Sequence, residues 1–127
     1  MIKEVINIKG APQAIGTYSQ GIRIGNFIFT SGQIPINPQT GNLKTDDIKA
    51  EIRQVLDNLN AVLEGSGSSL QSTVKLTVFV IDLGYFSEVN EVFKEYFPEK
   101  PPARSAVQVS ALPMGARIEI EAIGVVE

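Results

Sequence analysis

The chain has 127 residues, enough for one compact domain over 1–127 and too few for two independent cores. Its 14 acidic and 11 basic residues give a net charge of −3 with no Lys/Arg cluster, which argues against a broad nucleic-acid-binding face. Cys, His and Trp are absent, so disulfides, thiolate nucleophiles, imidazole bases and zinc sites with Cys or His ligands are excluded. Any general acid or base must then be Asp, Glu, Lys, Tyr or a held water. No Asp-rich loop of the calcium type is present, and no metal is expected. No apolar run reaches the length of a membrane span, and MIKEVINIKG alternates like a strand and not like a leader. A soluble, cytoplasmic protein is expected.

Residues 2–8 read as a first strand. A Gly/Pro-rich loop follows over 9–20, and then short β-favouring runs at 22–24 and 27–31 flank Gly25-Asn26, a two-residue hairpin turn. SGQIPINPQTGN (31–42) is a second loop. The spacing of Ile48, Ile52, Val55, Leu56, Leu59, Val62 and Leu63 predicts a helix over 46–64, capped by Thr45 or Asp46 and ended by Gly65. Residues 73–81 form a strand that becomes apolar on both faces. A second helix over 85–97 presents Phe86, Val89, Phe93, Tyr96 and Phe97 and stops at Pro98. Strands at 103–109 and 117–126 complete an α+β chain. Two helices can cover one face of such a sheet, so the doubly apolar strand implies a second cover, for which another copy of the chain is the simplest source.

Few residues could carry chemistry. In the last strand Arg117, Glu119, Glu121, Ile123 and Val125 share one face, and Glu121 sits where charge gives way to apolar residues. A carboxyl there is either a partly desolvated acid or base, or an ordinary surface glutamate. Arg104 shares a face with Ala106 and Gln108, whose small or neutral side chains leave space over it. Its guanidinium could grip a carboxylate through two parallel hydrogen bonds, or serve a structural ion pair. Asn90 lies among Phe86, Phe93 and Phe97, where a buried amide must find a partner in a loop, a ligand or the backbone. Gly32 stands where a strand ends, as a bend or as a place for its N–H to meet a ligand. Ser31 and Tyr18 offer hydroxyls on flanking loops. No P-loop, dinucleotide fingerprint or nucleophile elbow is present.

The stretches IGTYSQG (15–21), TSGQIPINPQTG (30–41), TVFVIDL followed by the helix to residue 97, PPARSAVQV (101–109) and IEIEAIGVV (118–126) together resemble the RidA/YjgF family of reactive-intermediate deaminases. The resemblance spans essentially the whole chain. It implies a chorismate-mutase-like α+β fold, a mixed β-sheet with two helices on one face, assembled as a homotrimer around a central β-barrel with three clefts between subunits. It also implies hydrolysis of 2-imino acids and their enamine tautomers, such as 2-aminoacrylate, without a cofactor. Carried over by motif, Arg104 would bind the substrate carboxylate with the Gly32 N–H, Glu121 would orient the attacking water, and Tyr18, Ser31 and Asn90 would line the cleft. Two positions depart from the common pattern: Thr17 stands where many members have Pro, and Ala106 where many have a cleft-lining Cys. The alternative is a non-catalytic trimer that binds small carboxylates or serves a regulatory role. A role in RNA cleavage, reported for some relatives, fits poorly with the acidic balance. The expected arrangement brings Arg104 and Glu121 into one pocket.

Overall fold

The computed structural model describes residues 2–126. The elements are β1 (Glu4–Ile6), β2 (Gly21–Ile24), β3 (Phe27–Thr30), α1 (Ile48–Gly65), β4 (Thr73–Val80), α2 (Phe86–Tyr96), β5 (Ala103–Gln108) and β6 (Ile118–Val125). They build one six-stranded mixed sheet in the order β1-β2-β3-β6-β4-β5. All neighbours are antiparallel except β4 and β5. That parallel pair requires a crossover, and α2 provides it. The β2–β3 turn is the expected Gly25-Asn26, with Gly25 in left-handed backbone (φ 57°) and Ile24 opposite Phe27.

Helix α1 starts two residues later than its apolar spacing predicts. Asp47, not Thr45 or Asp46, is the N-cap, and its carboxylate accepts from the Ala50 N–H at 2.9 Å. At the other end Gly65 is still helical. Ser66 caps the helix, and Gly67 takes the left-handed turn (φ 90°). Gly65 is small for a different reason: a Cβ there would lie 2.5 Å from Ile8 Cγ2, so the gap lets the segment after β1 pack on the helix end. A 3₁₀ turn over Leu83–Tyr85 leads into α2, with the Asp82 carboxylate accepting from Gly84 N–H at 2.8 Å.

Both helices lie on one face of the sheet. Ile52, Val55, Leu56, Leu59, Val62 and Leu63 of α1 and Val89, Val92 and Phe93 of α2 pack in one cluster with Ile28, Leu76, Val78, Val80, Ile118, Ile120 and Ala122. Burying each such large side chain stabilises the fold by about 1.5–3 kcal/mol. The helices are also tied along their outer seam. Lys49 pairs with Glu91, Arg53 grips both oxygens of Glu95 at 2.9 and 3.0 Å, and the Tyr96 hydroxyl donates to Asp57 at 2.8 Å. Among the described residues no helix is long and apolar enough to cross a membrane.

The opposite face of the sheet is largely apolar, and no helix covers it among the described residues. Strand alternation and register put Val5, Ile22, Ile24, Phe27, Phe29, Phe79, Val107, Ile123 and Val125 on it, with Val5, Phe27, Phe29 and Val107 exposed. The expectation that β4 is covered on both sides therefore holds for only one side of a single chain, because both helices fall on the same face.

Candidate functional site

The site residues fall into two groups on opposite faces of the sheet. The first is built on β5, the edge strand. Arg104 lies opposite Leu76, whose side chain is buried under the helices, so Arg104 also points to the helix side. Its Nη1 donates to Asn90 Oδ1 at 2.8 Å. Its guanidinium lies over Phe93 and Phe86, 5.5 and 6.0 Å from the ring centroids. No acid among the described residues pairs with it. A recess of about 430 Å³ opens beside it, lined by Asn90, Phe93, Lys94, Phe97, Pro101 and Pro102. Asn90 is exposed at this rim and not buried as its aromatic neighbours suggest, because those rings turn inward and leave the amide at the mouth. Ala106, opposite Val78, lies half-buried on the same face two residues along.

The second group surrounds the loop after β3. Three bonds pin that loop. Ser31 N–H donates to Gln20 O at 2.9 Å, and Gln33 and Ile120 exchange backbone hydrogen bonds at 2.9 and 3.1 Å. The Ser31 hydroxyl is committed to Ser19 O at 2.5 Å, so it serves the loop. Gly32 sits between these anchored residues directly over Glu119: a Cβ at Gly32 would stand 2.7 Å from Glu119 Oε2. Tyr18 completes the wall, its hydroxyl accepting from Ile15 N–H at 3.2 Å. The loop carrying Tyr18 is fixed by Gln20, a buried amide that accepts from Ile8 N–H at 2.7 Å and donates to Ile8 O and Pro12 O at 3.0 and 2.9 Å. Tyr18, Gly32, Gln33 and Glu119 line a cavity of about 270 Å³ together with Ile15, Ile34, Ile36 and Met114.

The carboxyl in this cavity is thus Glu119. Burial raises its proton affinity above the usual glutamate range, and the negative charge of Glu121 adds to the effect. Glu121 lies on the same face opposite Thr77, but it is exposed and the loop does not reach it. Sequence alternation treats the two glutamates alike. What separates them is the Gln33–Ile120 bridge, which folds Gly32 over one and not the other, and no local pattern announces that contact. Arg117 also departs from the expected face. It precedes β6 and turns back to Glu51 of α1, pairing with both carboxylate oxygens.

The expectation that Arg104 and Glu121 open into one pocket within a chain is not met. Arg104 faces the helices, whereas Glu119 and Glu121 face the uncovered side. A residue that crosses from one β-strand face to the other must shift register by one, and the β4–β5 ladder is continuous from Lys75 to Val80.

Gly32→Ala is expected to leave the fold intact and to displace the Glu119 carboxyl, since the colliding atom is the end of a flexible side chain. A carbon-13 NMR titration should then show Glu119 moving back toward the ordinary carboxylate range. An unchanged titration would mean that Gly32 does not hold the acid in its half-buried place.

A family profile described as Endoribonuclease L-PSP matches residues 8–126. A RutC family protein of Pyrococcus abyssi is 53% identical over 123 residues, covering 97% of each chain. Reactive Intermediate Deaminase A of Arabidopsis thaliana, a chloroplastic protein, is 44% identical over 121 residues, covering 95% of this chain and 65% of its own. The crystal structure of Escherichia coli TdcF with bound serine superposes with a TM-score of 0.93 at 42% identity, covering 98% of this chain and 99% of that one.

Proposed function

The chain belongs to the RidA/YjgF family, and we propose that it hydrolyses reactive 2-imino acids and their enamine tautomers, such as 2-aminoacrylate, to 2-keto acids and ammonia. The working form is a homotrimer. The face carrying Phe27, Phe29 and Val107 would be the surface that copies bury against one another, and its exposed apolar side chains support this. In that assembly Arg104 of one copy meets the Glu119 cavity of the next, which resolves the separation of the two groups within one chain. A relative named as a reactive intermediate deaminase and a relative that holds serine, a small amino acid with the same carboxylate end, support the reading.

Arg104 and the Gly32 N–H would hold the substrate carboxylate, leaving C2 before a water on Glu119. The enamine first gains a proton at C3 and becomes the iminium. Water oxygen then bonds to C2 as the C=N π pair moves to nitrogen, and Glu119 accepts the proton that water releases. Glu119 returns that proton to nitrogen. The C–N bond breaks, its electron pair leaves with ammonia, and the hydroxyl releases its proton to solvent as it becomes the keto oxygen, which returns the proton drawn from solvent at C3. Because the iminium is already electrophilic, positioning and one proton carrier suffice.

The observation that carries this reading is Arg104: a guanidinium held by neutral groups, with no acid paired to it among the described residues, beside an open recess. The test generates 2-aminoacrylate with a dehydratase and follows pyruvate. The wild type should accelerate its formation over buffer, and Glu119→Gln should lower kcat by about 10²–10⁴-fold, the usual worth of a positioned proton carrier. Activity should fall on acidification at a pH above the ordinary carboxylate range, since the raised proton affinity of Glu119 removes its base form early. Glu121→Gln measured alongside decides between the two acids. Binding of pyruvate without turnover would leave the carboxylate-binding reading in its place.

A further inference from the structure

The sheet face turned away from the helices is apolar except for one polar island. Strand alternation and register place Lys75 and Thr77 of β4, Ser105 of β5 and Glu121 of β6 side by side in its middle, with Glu119 two residues along. Ile123 and Phe29 bound the island on one side, and Phe79 and Val107 on the other. Within the named strands, Lys75, Glu119 and Glu121 are the only charged residues on this face.

These charges are not matched within the chain. Lys75 turns toward the edge strand, where its ammonium spends one of three donors on Ser105 Oγ at 2.9 Å. None of the ion pairs among the described residues includes Lys75, Glu119 or Glu121. A face that copies bury cannot leave such groups dry, because a charge taken from water without a partner is costly. The cation leans toward β5, and the acid stands on β6, on the other side of β4. The two charges thus lie on different patches of one face. That suits a head-to-tail contact, the β5 side of one copy against the β6 side of the next, repeated until a ring closes. The same direction brings Arg104 on β5 to the Glu119 cavity on β6, so both contacts belong to one docking.

We propose that Lys75 of one copy pairs with Glu121 of the next, and that the polar island thereby sets the register of the assembly. This rests on the homotrimer proposed above and not on the hydrolysis. Apolar burial is non-directional and tolerates sliding, whereas one cation and one acid at fixed places do not. The pairing also gives the two glutamates separate tasks: Gly32 covers Glu119, and the neighbouring copy holds Glu121.

The test reverses the charges in the full chain. Lys75→Glu and Glu121→Lys each set like charges together, and sedimentation velocity should show assembly weakened about 30-fold or more in each. The double reversal restores opposite charges across the contact and should recover most of that loss. Wild-type assembly in both single variants would overturn the proposal, and so would a double variant no better than the worse single. Circular dichroism checks folding. Where a reversal unfolds the chain, Lys75→Met takes its place, since it keeps the apolar stem and removes the charge. It too should weaken assembly about 30-fold, and wild-type assembly would refute the pairing. Ser105→Ala should weaken assembly far less. An equal loss would show that Lys75 acts through Ser105 in its own chain, and would overturn the pairing. A wild type that sediments as a monomer would bring down the trimer and the pairing together. Another copy number, still rescued by the double reversal, would overturn only the trimer and uphold the pairing.

Discussion

Replacing Arg104 with alanine is expected to lower kcat/KM on 2-aminoacrylate by about 10²–10³-fold while leaving the assembly and the urea midpoint nearly unchanged. Hydrogen bonds to charged groups contribute about 1.5–3 kcal/mol each. Two made to one carboxylate, less the expense of desolvating it, come to about 3–4 kcal/mol, and each 1.36 kcal/mol is tenfold in rate. The fold loses little, because Arg104 is exposed, its contacts on Phe86 and Phe93 are of the weak surface kind, and its guanidinium bonds to an exposed amide. Arg104→Lys should recover only part of the rate. It restores the charge but not the planar fork, and it gives up the stacking. Wild-type kcat/KM in Arg104→Ala would remove the carboxylate grip from the mechanism altogether.

The largest effect on stability is expected at Arg117. Glu51 is 2% exposed, and Arg117 meets both of its oxygens. Burial alone would release the guanidinium proton more readily, but the Glu51 bond and the Tyr85 hydroxyl outweigh it and hold Arg117 firmly charged. Removing one partner of a buried pair leaves the other as an uncompensated charge, which is destabilising by about 3–5 kcal/mol. Arg117 is one-third exposed, so the lower end applies. Arg117→Ala should therefore lose about 3 kcal/mol, read as a fall in Tm of roughly 10 °C at fixed protein concentration. Glu51→Gln with Arg117→Met replaces the charges together and should lose less. If Arg117→Ala unfolds at the wild-type temperature, the pair is not a structural anchor.

The elements were legible because they follow short-range periodicity. The α1 stripe from Ile52 to Leu63 and the Phe86–Phe97 face of α2 are exposed in the sequence as steps of three and four, and the Gly25-Asn26 hairpin by its turn chemistry. Errors at helix ends, such as the cap at Asp47, stayed within two residues because several adjacent acids could serve. The pocket was less legible. The segments that line it were identified, but Glu119 and Glu121 occupy equivalent positions in the alternation, and the choice between them depends on a loop some 90 residues earlier. The relative side of Arg104 and the acids was hidden for the same reason. A strand's faces are visible in sequence, but which face of β5 matches which face of β6 depends on β4 lying between them in register.

The seam between α1 and α2 separates two kinds of cohesion in one molecule. Lys49–Glu91, Arg53–Glu95 and Asp57–Tyr96 lie toward solvent, whereas the same helices are joined beneath by Val89, Val92 and Leu56. At molar ionic strength the screening length shrinks to about 3 Å, which weakens the outer rungs, while excluded salts such as sulfate strengthen apolar burial. Brine would thus slacken the outer side of α2 and leave the sheet as it was. Since α2 carries the amide that steadies Arg104, an ionic medium has a mechanical route to the proposed carboxylate grip, separate from any competition by anions for the guanidinium itself.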